Sequence, residues 1–359
     1  MFEIQGDRIR IKDIAEKAKV SVGTVDRVIH DRGEVAEETR KHVLAIIEDL
    51  SYTPNMLAKS LALKKQYLIA ALIPAHKQDN PYWKMPMLGI EKAYREIQNF
   101  NTAVRLFTFD LNSERSFAVS CNEILETEPD GIVFSPLFYE SSKHFINACD
   151  EKNIPYVFID ANIEGCNNMA YFGQNTFQSG YLAAKLMDYG IHEQAEVLVV
   201  NLMHGKGLTH HLKTREKGFL SYFSGSGATE KITVSSYDIR MDEEGDLKCK
   251  MDMAFRNGRS VRGIFVTSSR VYRIANYLDD NKLEGILLAG YDLIDKNLGY
   301  LEKGTIDYLI GQKPEEQGYK SIQAMFNHFL RNREVERTNY SPIDIIVKEN
   351  IDYYKNFML

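Results

Sequence analysis

Near the start of the chain, the side chains best placed to do chemistry lie in nine consecutive residues, Val20-Ser21-Val22-Gly23-Thr24-Val25-Asp26-Arg27-Val28. Arg27 carries a planar fork of donors, the geometry that reads guanine O6 and N7 in a DNA major groove. Ser21 and Thr24 add hydroxyls, and Ser21 is a good helix N-cap, able to accept from backbone N–H groups. Asp26 and His30 stand four apart, so on one helix face they can pair; Asp26 can alternatively accept from cytosine N4. A second set is aromatic. Tyr82 and Trp83, the latter the single tryptophan, offer ring faces of the kind that line sugar and polyol sites. Hydrolytic and metal chemistry have no matching pattern: there is no Ser-His-Asp order, no phosphate loop and no credible metal motif. His204, His210 and His211 follow no zinc spacing and read as surface histidines. Cys121, Cys149, Cys166 and Cys249 show no metal or redox spacing, which suits a reducing cytosol.

Short helices must hold the first set. Ile11, Ile14, Ala15 and Ala18 recur on one helical face, and Lys19-Val20 makes a tight corner. Val22, Val25, Val28 and Ile29 then form the apolar face of a second helix. Two short helices across such a turn make a helix-turn-helix, whose second helix enters the major groove. A third helix opens at Val35 and runs to about Leu50, with Val43, Ile46, Ile47 and Leu50 as its apolar face. Pro54 to about Lys65 reads as a hinge with good helix formers, too short to be stable alone.

Taken together, Ile11–Ala15, Val20–Val28, Glu38-Thr39-Arg40, Tyr52–Asn55 and Ala58–Leu61 resemble the N-terminal headpiece of the LacI family of bacterial transcription regulators. The resemblance implies that Val22, Gly23 and Arg27 occupy base-reading positions, with Val22 able to meet a thymine methyl. It implies phosphate contacts for Ser21, Thr24 and Thr39. Asn55, Lys59 and Leu61 fall in the hinge segment as further DNA-binding residues, and Leu61 matches a leucine that wedges into the minor groove at the operator centre. Three residues depart from the family pattern. Lys19 replaces a turn glycine, where a left-handed conformation costs about 1–2 kcal/mol; Asp26 replaces a serine, and His30 an asparagine.

From Tyr67 the texture changes. Leu68–Ile73 is a continuous apolar run ending in Pro74, as in a buried parallel strand. Strand-like and helix-like segments then alternate through Ile159, and the pattern restarts after Ser179–Leu186, the signature of a parallel α/β sheet met twice. Two successive halves of similar size predict two lobes with a cleft between them. The expected layout is a small all-α headpiece at 1–53, a hinge at 54–65, and a two-lobed α/β domain at 66–359 for effector binding and dimerisation. Asn80-Pro81-Tyr82-Trp83, Pro129–Ile132, Ile154–Asp160, Gly180–Ala184, Arg215–Phe219, Gly290-Tyr291-Asp292 and Gln312-Lys313-Pro314 extend the resemblance to the family's sensor, which has the fold of periplasmic sugar-binding proteins. It implies ligand contacts from Asn80, Asp160, Arg215, Asp292 and Gln312. Gln174 and Ser268 join that set at stations where the family usually has Asp and Asn, so the hydroxyl pattern of the ligand is not inherited.

The net charge is −6 from 44 Lys/Arg and 50 Asp/Glu, against coating nucleic acid by charge alone. Residues 1–65 carry 12 Lys/Arg and 11 Asp/Glu and the remainder 32 and 39, so DNA affinity must come from the placement of a few cations. Met1-Phe2-Glu3 begins no apolar export segment, and no run of 18 apolar residues occurs. The expectation is a cytoplasmic, homodimeric, non-enzymatic regulator of transcription, free of membrane and cofactor. It would bind pseudo-palindromic double-stranded operator DNA under the control of a sugar-like small-molecule effector. The alternatives are a nucleobase or other small co-repressor on the same architecture, a transport-type binding protein, and an enzyme.

Overall fold

The computed structural model describes residues 10–29, 33, 35–50, 65–77, 81–203, 210–225, 231–256, 260–331 and 333–355. The chain divides into two compact units, Met1–Lys64 and Lys65–Leu359. His30, Asn55, Lys59, Leu61, Asn80 and His204, and all of the hinge at 54–65 but Lys65, lie outside the described residues.

The first unit is helical: α1 (Ile11–Ala18), α2 (Val22–Ile29) and α3 (Glu37–Asp49). Ile14, Ala15, Ala18, Val25, Val28, Val43 and Ile46 form its core, all on the apolar faces that the helical spacing marks, whereas Val22, marked with them, lies exposed in the first turn of α2. Lys19 ends α1 in the left-handed region at φ 53°, so the conformation that favours glycine is adopted here by a lysine. Ser21 Oγ accepts from Thr24 N at 3.0 Å and starts α2.

The second unit holds two six-stranded sheets. In the first lobe β1 (Tyr67–Pro74), β2 (Thr102–Phe109), β3 (Gly131–Phe134), β4 (Tyr156–Ile159), β5 (Ala170–Gly173) and β11 (Thr338–Tyr340) take the order β11-β5-β4-β3-β1-β2. In the second, β6 (Ala195–Met203), β7 (Ile232–Arg240), β8 (Val261–Val266), β9 (Leu287–Tyr291), β10 (Tyr308–Gly311) and β12 (Asp344–Ile346) take the matching order β12-β10-β9-β8-β6-β7. All pairings are parallel except β10 with β12. Central strands such as β1 are buried over most of their length because helices cover both faces.

The first lobe takes helices α4 (Lys84–Ile97), α5 (Glu114–Glu126), α6 (Tyr139–Glu151) and α12 (Pro314–Arg331). The second takes α7 (Thr176–Gly190), α8 (His210–Gly225), α9 (Asp246–Arg256), α10 (Val271–Asp280), α11 (Asp295–Lys303) and α13 (Ile351–Lys355). The lobes are therefore not successive, as the sequence periodicity suggests, but interleaved. The chain crosses between them at 173–176, returns at 311–314, and crosses a third time at 340–344. One helix pair seals each lobe with glycine. A Cβ at Gly180 would lie 1.9 Å from Arg215 O, and one at Gly318 would lie 2.2 Å from Pro86 O.

Candidate functional site

On α2, Val25 and Val28 face the headpiece core while Val22, Gly23 and Arg27 stay exposed and Asp26 half-exposed. Helical geometry makes these four neighbours on one outward face. Val22 keeps 51% of its surface accessible, an uncommon exposure for a valine. Ser21 and Thr24 sit at the amino end of α2, their hydroxyls 2.9 Å apart. Thr39, half-buried in the first turn of α3, completes the sequence-derived set that falls within the described residues.

The second constellation forms where the carboxyl ends of the two sheets meet. Asp160 follows β4 and Asp292 follows β9, the same station in each lobe. Both adopt positive φ, 65° and 71°. Aspartate tolerates this region better than most residues. Tyr82 Oη donates to Asp160 Oδ1 at 2.7 Å. Arg215, 2% exposed, donates through Nη1 to Thr267 O at 2.8 Å and through Nη2 to Gln312 Oε1 at 2.5 Å. Its guanidinium lies 3.8 Å from the centroid of the Tyr291 ring, a cation–π contact. Gln312 Nε2 in turn donates to Asp292 Oδ1 at 2.8 Å. Arg215 Nε is buried without a protein partner.

Burial dominates the electrostatics. It pushes the Asp292 carboxyl up to about 7, against the opposing pull of Arg215 and the Gln312 amide, and nearby Asp160 adds to the rise. Burial also raises Asp160, with Tyr82 and Arg215 opposing it. Two carboxyls from opposite lobes thus lie in the field of one guanidinium, which reaches Asp292 through the Gln312 amide, in a site largely withdrawn from water where an uncompensated charge is costly.

Several supporting groups escape the sequence reading. Asn297 Nδ2 donates to Ser269 O, Tyr291 O and Asp292 O, fixing the loop that presents Asp292. Gln317 accepts from Asp160 N at 3.0 Å and donates to Gln312 O at 2.9 Å. His211, read from sequence as a surface residue, is half-buried one helical turn before Arg215. Burial pushes its imidazole well below the usual range, and Arg215 and His210 push the same way. The i,i+4 spacing of His211 and Arg215 was the available signal.

Trp83 is 3% exposed in the short turn Pro81–Trp83 and meets Tyr82 edge-on, with centroids 5.1 Å apart. Ser268 is buried beside Thr267. Gln174 is buried at the first crossover. Its Nε2 donates to Gly311 O at 3.0 Å and Pro342 O at 3.2 Å, one carbonyl at each of the other two crossovers, while Oε1 lacks a protein partner. Among the described residues no group of three or more His, Cys, Asp or Glu could hold a metal ion, and no helix is long and apolar enough to cross a membrane.

Residues 10–55 match the family model of bacterial regulatory proteins of the lacI family, and residues 70–332 match that of a periplasmic binding protein domain. A crystal structure from Bacteroides fragilis, assigned to the LacI transcriptional regulators, is 33% identical, with a TM-score of 0.75, over 81% of this chain and 100% of that one. The chain belongs to the LacI family of bacterial transcription regulators.

Among LacI-family relatives, the ribose operon repressor of Bacillus subtilis (strain 168) is 27% identical over 302 residues, 80% of this chain and 82% of that protein. A glucose-galactose binding protein from Geobacillus stearothermophilus shares the sensor fold, with a TM-score of 0.71 at 21% identity over 80% of this chain and 99% of its own. The protein is accordingly a LacI-type transcription regulator with a periplasmic-binding-protein-like sensor domain.

Proposed function

We propose that this LacI-family protein is a cytoplasmic homodimer that binds a pseudo-palindromic operator and exchanges operator affinity against a neutral sugar or polyol held between the sensor lobes. The observation that carries the ligand class is the pairing of Asp160 and Asp292 around Arg215, with Tyr82 alongside. Carboxylates accept from vicinal hydroxyls, a guanidinium donates to ring and hydroxyl oxygens, and aromatic faces cover the apolar side of a sugar. Two carboxyls against one cation disfavour an anionic ligand such as a uronate or a sugar phosphate. The name of the B. subtilis relative makes D-ribose the first neutral sugar to try.

A nucleobase is the rival. Thermal-shift assays with D-ribose, D-glucose, ribitol, D-glucuronate and adenine separate the two readings, because a ligand bound by the native state alone raises its stability. A saturable rise with a neutral sugar or polyol supports the proposal; a rise with adenine alone replaces it. Trp83, the single tryptophan, reports independently. Saturable quenching by the same compound places the indole at the ligand, whereas an unchanged spectrum makes it a core residue.

On the DNA side, Arg27 and Val22 read bases, and Ser21, Thr24 and Thr39 position the headpiece on phosphates. A two-fold dimer implies two half-sites. Arg27→Ala is expected to cost about 1–3 kcal/mol and relax preference at one half-site position, as read by selection from a random duplex pool. Uniform weakening across all sequences would make Arg27 a phosphate contact. Asn55, Lys59 and Leu61 enter by resemblance, as does His30. Leu61→Ala should reduce operator bending measured by end-to-end fluorescence transfer.

A further inference from the structure

We propose that α12 is the strut that carries the state of the interlobe junction to the point where the chain enters the sensor from residues 1–64. The purpose of the strut rests on the regulatory reading above, but its test needs neither operator nor effector, so the two can fail separately.

Both ends of α12 are fastened. At its amino end Gln317 accepts from Asp160 N at 3.0 Å and donates to Gln312 O at 2.9 Å. Next to it, the close approach of Gly318 to Pro86 O locks α12 against α4. Twelve residues after Gln317, about 18 Å along a helix rising about 1.5 Å per residue, Phe329 stacks on Tyr67. The centroids are 4.8 Å apart and the planes 5° from parallel. Tyr67 opens β1, at the sensor's entry. Lys65 Nζ lies 5.0 Å from its ring centroid and 2.5 Å from Asp130 Oδ1, while Leu68 N donates to Asp130 Oδ2 at 2.8 Å. Gly131, beside Asp130, sits directly under the helix: a Cβ there would be 2.5 Å from Met325 Sδ and 2.8 Å from Phe329 Cζ. The end of α12, the start of β3 and the first residues of the sensor therefore form one close-packed cluster. Close-packed elements shift as units rather than deform.

The second lobe supplies the control. Its α7 is the counterpart of α12, and Val197 pairs with Gly263 as Ile69 pairs with Gly131. By that register Ala195 replaces Tyr67, and by the match of Gly180 to Gly318 Ile191 replaces Phe329. Met187 stands where Met325 does, 3.4 Å from a Cβ at Gly263, and Ile191 Cδ1 comes to 3.0 Å of it, so this lobe is tightly packed too but with an aliphatic side chain and no aromatic stack. The aromatic stack belongs to the lobe whose first strand the headpiece chain feeds.

Hydrogen–deuterium exchange of the full chain tests this with Gln317→Ala, Gln317→Glu, Phe329→Leu and Ser179→Ala. Ser179 is the α7 counterpart of Gln317 and bonds Tyr291 Oη at 2.8 Å. Gln317→Ala should raise exchange at the Tyr67 and Leu68 amides by roughly threefold or more, and Phe329→Leu should raise it at Asp160, whereas Ser179→Ala leaves Tyr67 and Leu68 unchanged. If Gln317→Ala does not fold, Gln317→Glu, which fills the same volume and keeps the acceptor for Asp160 N but loses the donor to Gln312 O, must show the same remote change. An effect confined to 158–175 and 310–318 overturns the strut. Equal loosening of Tyr67 and Leu68 by Ser179→Ala overturns it too, because the response is then general.

Discussion

Asp160 and Asp292 hold the same station in the two lobes, yet their surroundings differ. Asp160 receives a hydrogen bond from Tyr82 of its own lobe. Asp292 receives one from Gln312, at the second crossover, and burial pushes it up to about 7. Counting back from the glycines that lie against α12 and α7, Gly89 and Gly218, Tyr82 corresponds to His211 and Pro86 to Arg215. One scaffold was thus furnished twice, and the cation was placed in only one copy. Arg215 consequently serves carboxyls on both sides, so the charge that organises the second lobe also draws the first towards it. Symmetry supplies the stations, and asymmetry at those stations supplies recognition.

The sharpest way to break the comparison is Arg215→Ala against Pro86→Ala. Removing the guanidinium leaves buried carboxyls and the Gln312 amide uncompensated, at a cost of about 3–5 kcal/mol. Pro86→Ala at the matching buried station should cost about 1 kcal/mol, the common size of a single substitution. Urea midpoints at unchanged slope measure both.

Next in size is the pH response of Asp292. Its folded pKa, about 7, lies above the unfolded value. The folded state therefore holds a proton that the unfolded state has released. This contribution to stability is complete below the unfolded pKa and is lost as pH rises through about 7. Asp292→Asn should flatten the fall in stability between pH 4 and 8 by on the order of a few kcal/mol. An unchanged slope in urea titrations would assign the fall to other groups, with Asp160 the first to try.

Gly180→Ala and Gly318→Ala compare the helix seals. Each methyl would meet a backbone carbonyl, and overpacking of that kind costs about 1–3 kcal/mol. Near-equal losses in thermal midpoint would mean that the seals are equivalent; a lopsided result would show one lobe yielding. The smallest effects belong to Lys65→Ala and Arg262→Ala, which remove ion pairs with Asp130 and Glu193 at matching stations. The Lys65 side chain is well exposed and that of Arg262 partly so, and each change should cost under about 1 kcal/mol in denaturation.

Legibility from sequence followed segment length and periodicity. The headpiece helices, the long apolar β1 and the short β3 and β4 stand out because their spacing or continuous apolarity is unambiguous. β5 and β10, Ala170–Gly173 and Tyr308–Gly311, are four buried residues each, as β3 and β4 are, but each ends on glycine and carries little β-branching, so neither stands out as a strand core. β7 mixes buried and exposed positions along the sheet edge, so it lacks the apolar run of a central strand. The interleaving of the lobes was unreadable because the spacing that shows a late helix and a final strand does not say which lobe each completes, and the three-residue β11 carries too little pattern to add to it. Of the proposed ligand residues, Tyr82, Asp160, Arg215, Asp292 and Gln312 converge in one hydrogen-bonded and electrostatic network. Gln174 instead turns its amide onto the crossover carbonyls, a use that no spacing rule announces. His211 reads as a surface residue because its half-burial on α8 near Arg215 is a property of the assembled fold.

The second crossover, which returns the chain to the first lobe, has a consequence for synthesis. β11 and α12 come from 314–340 but complete the first lobe, so a ribosome must make nearly all of the second lobe before the first can close. At about 5–20 residues per second, the 165 or so residues between the end of β5 and β11 occupy roughly 8–33 s. Throughout that interval the nascent first sheet has an unpaired β5 edge and an uncovered face where α12 will lie. Such surfaces are the ones that holding chaperones engage. Nascent chains stalled before residue 314 should therefore stay protease-sensitive in β1–β5, while chains stalled after β11 clears the exit tunnel become resistant in a single step.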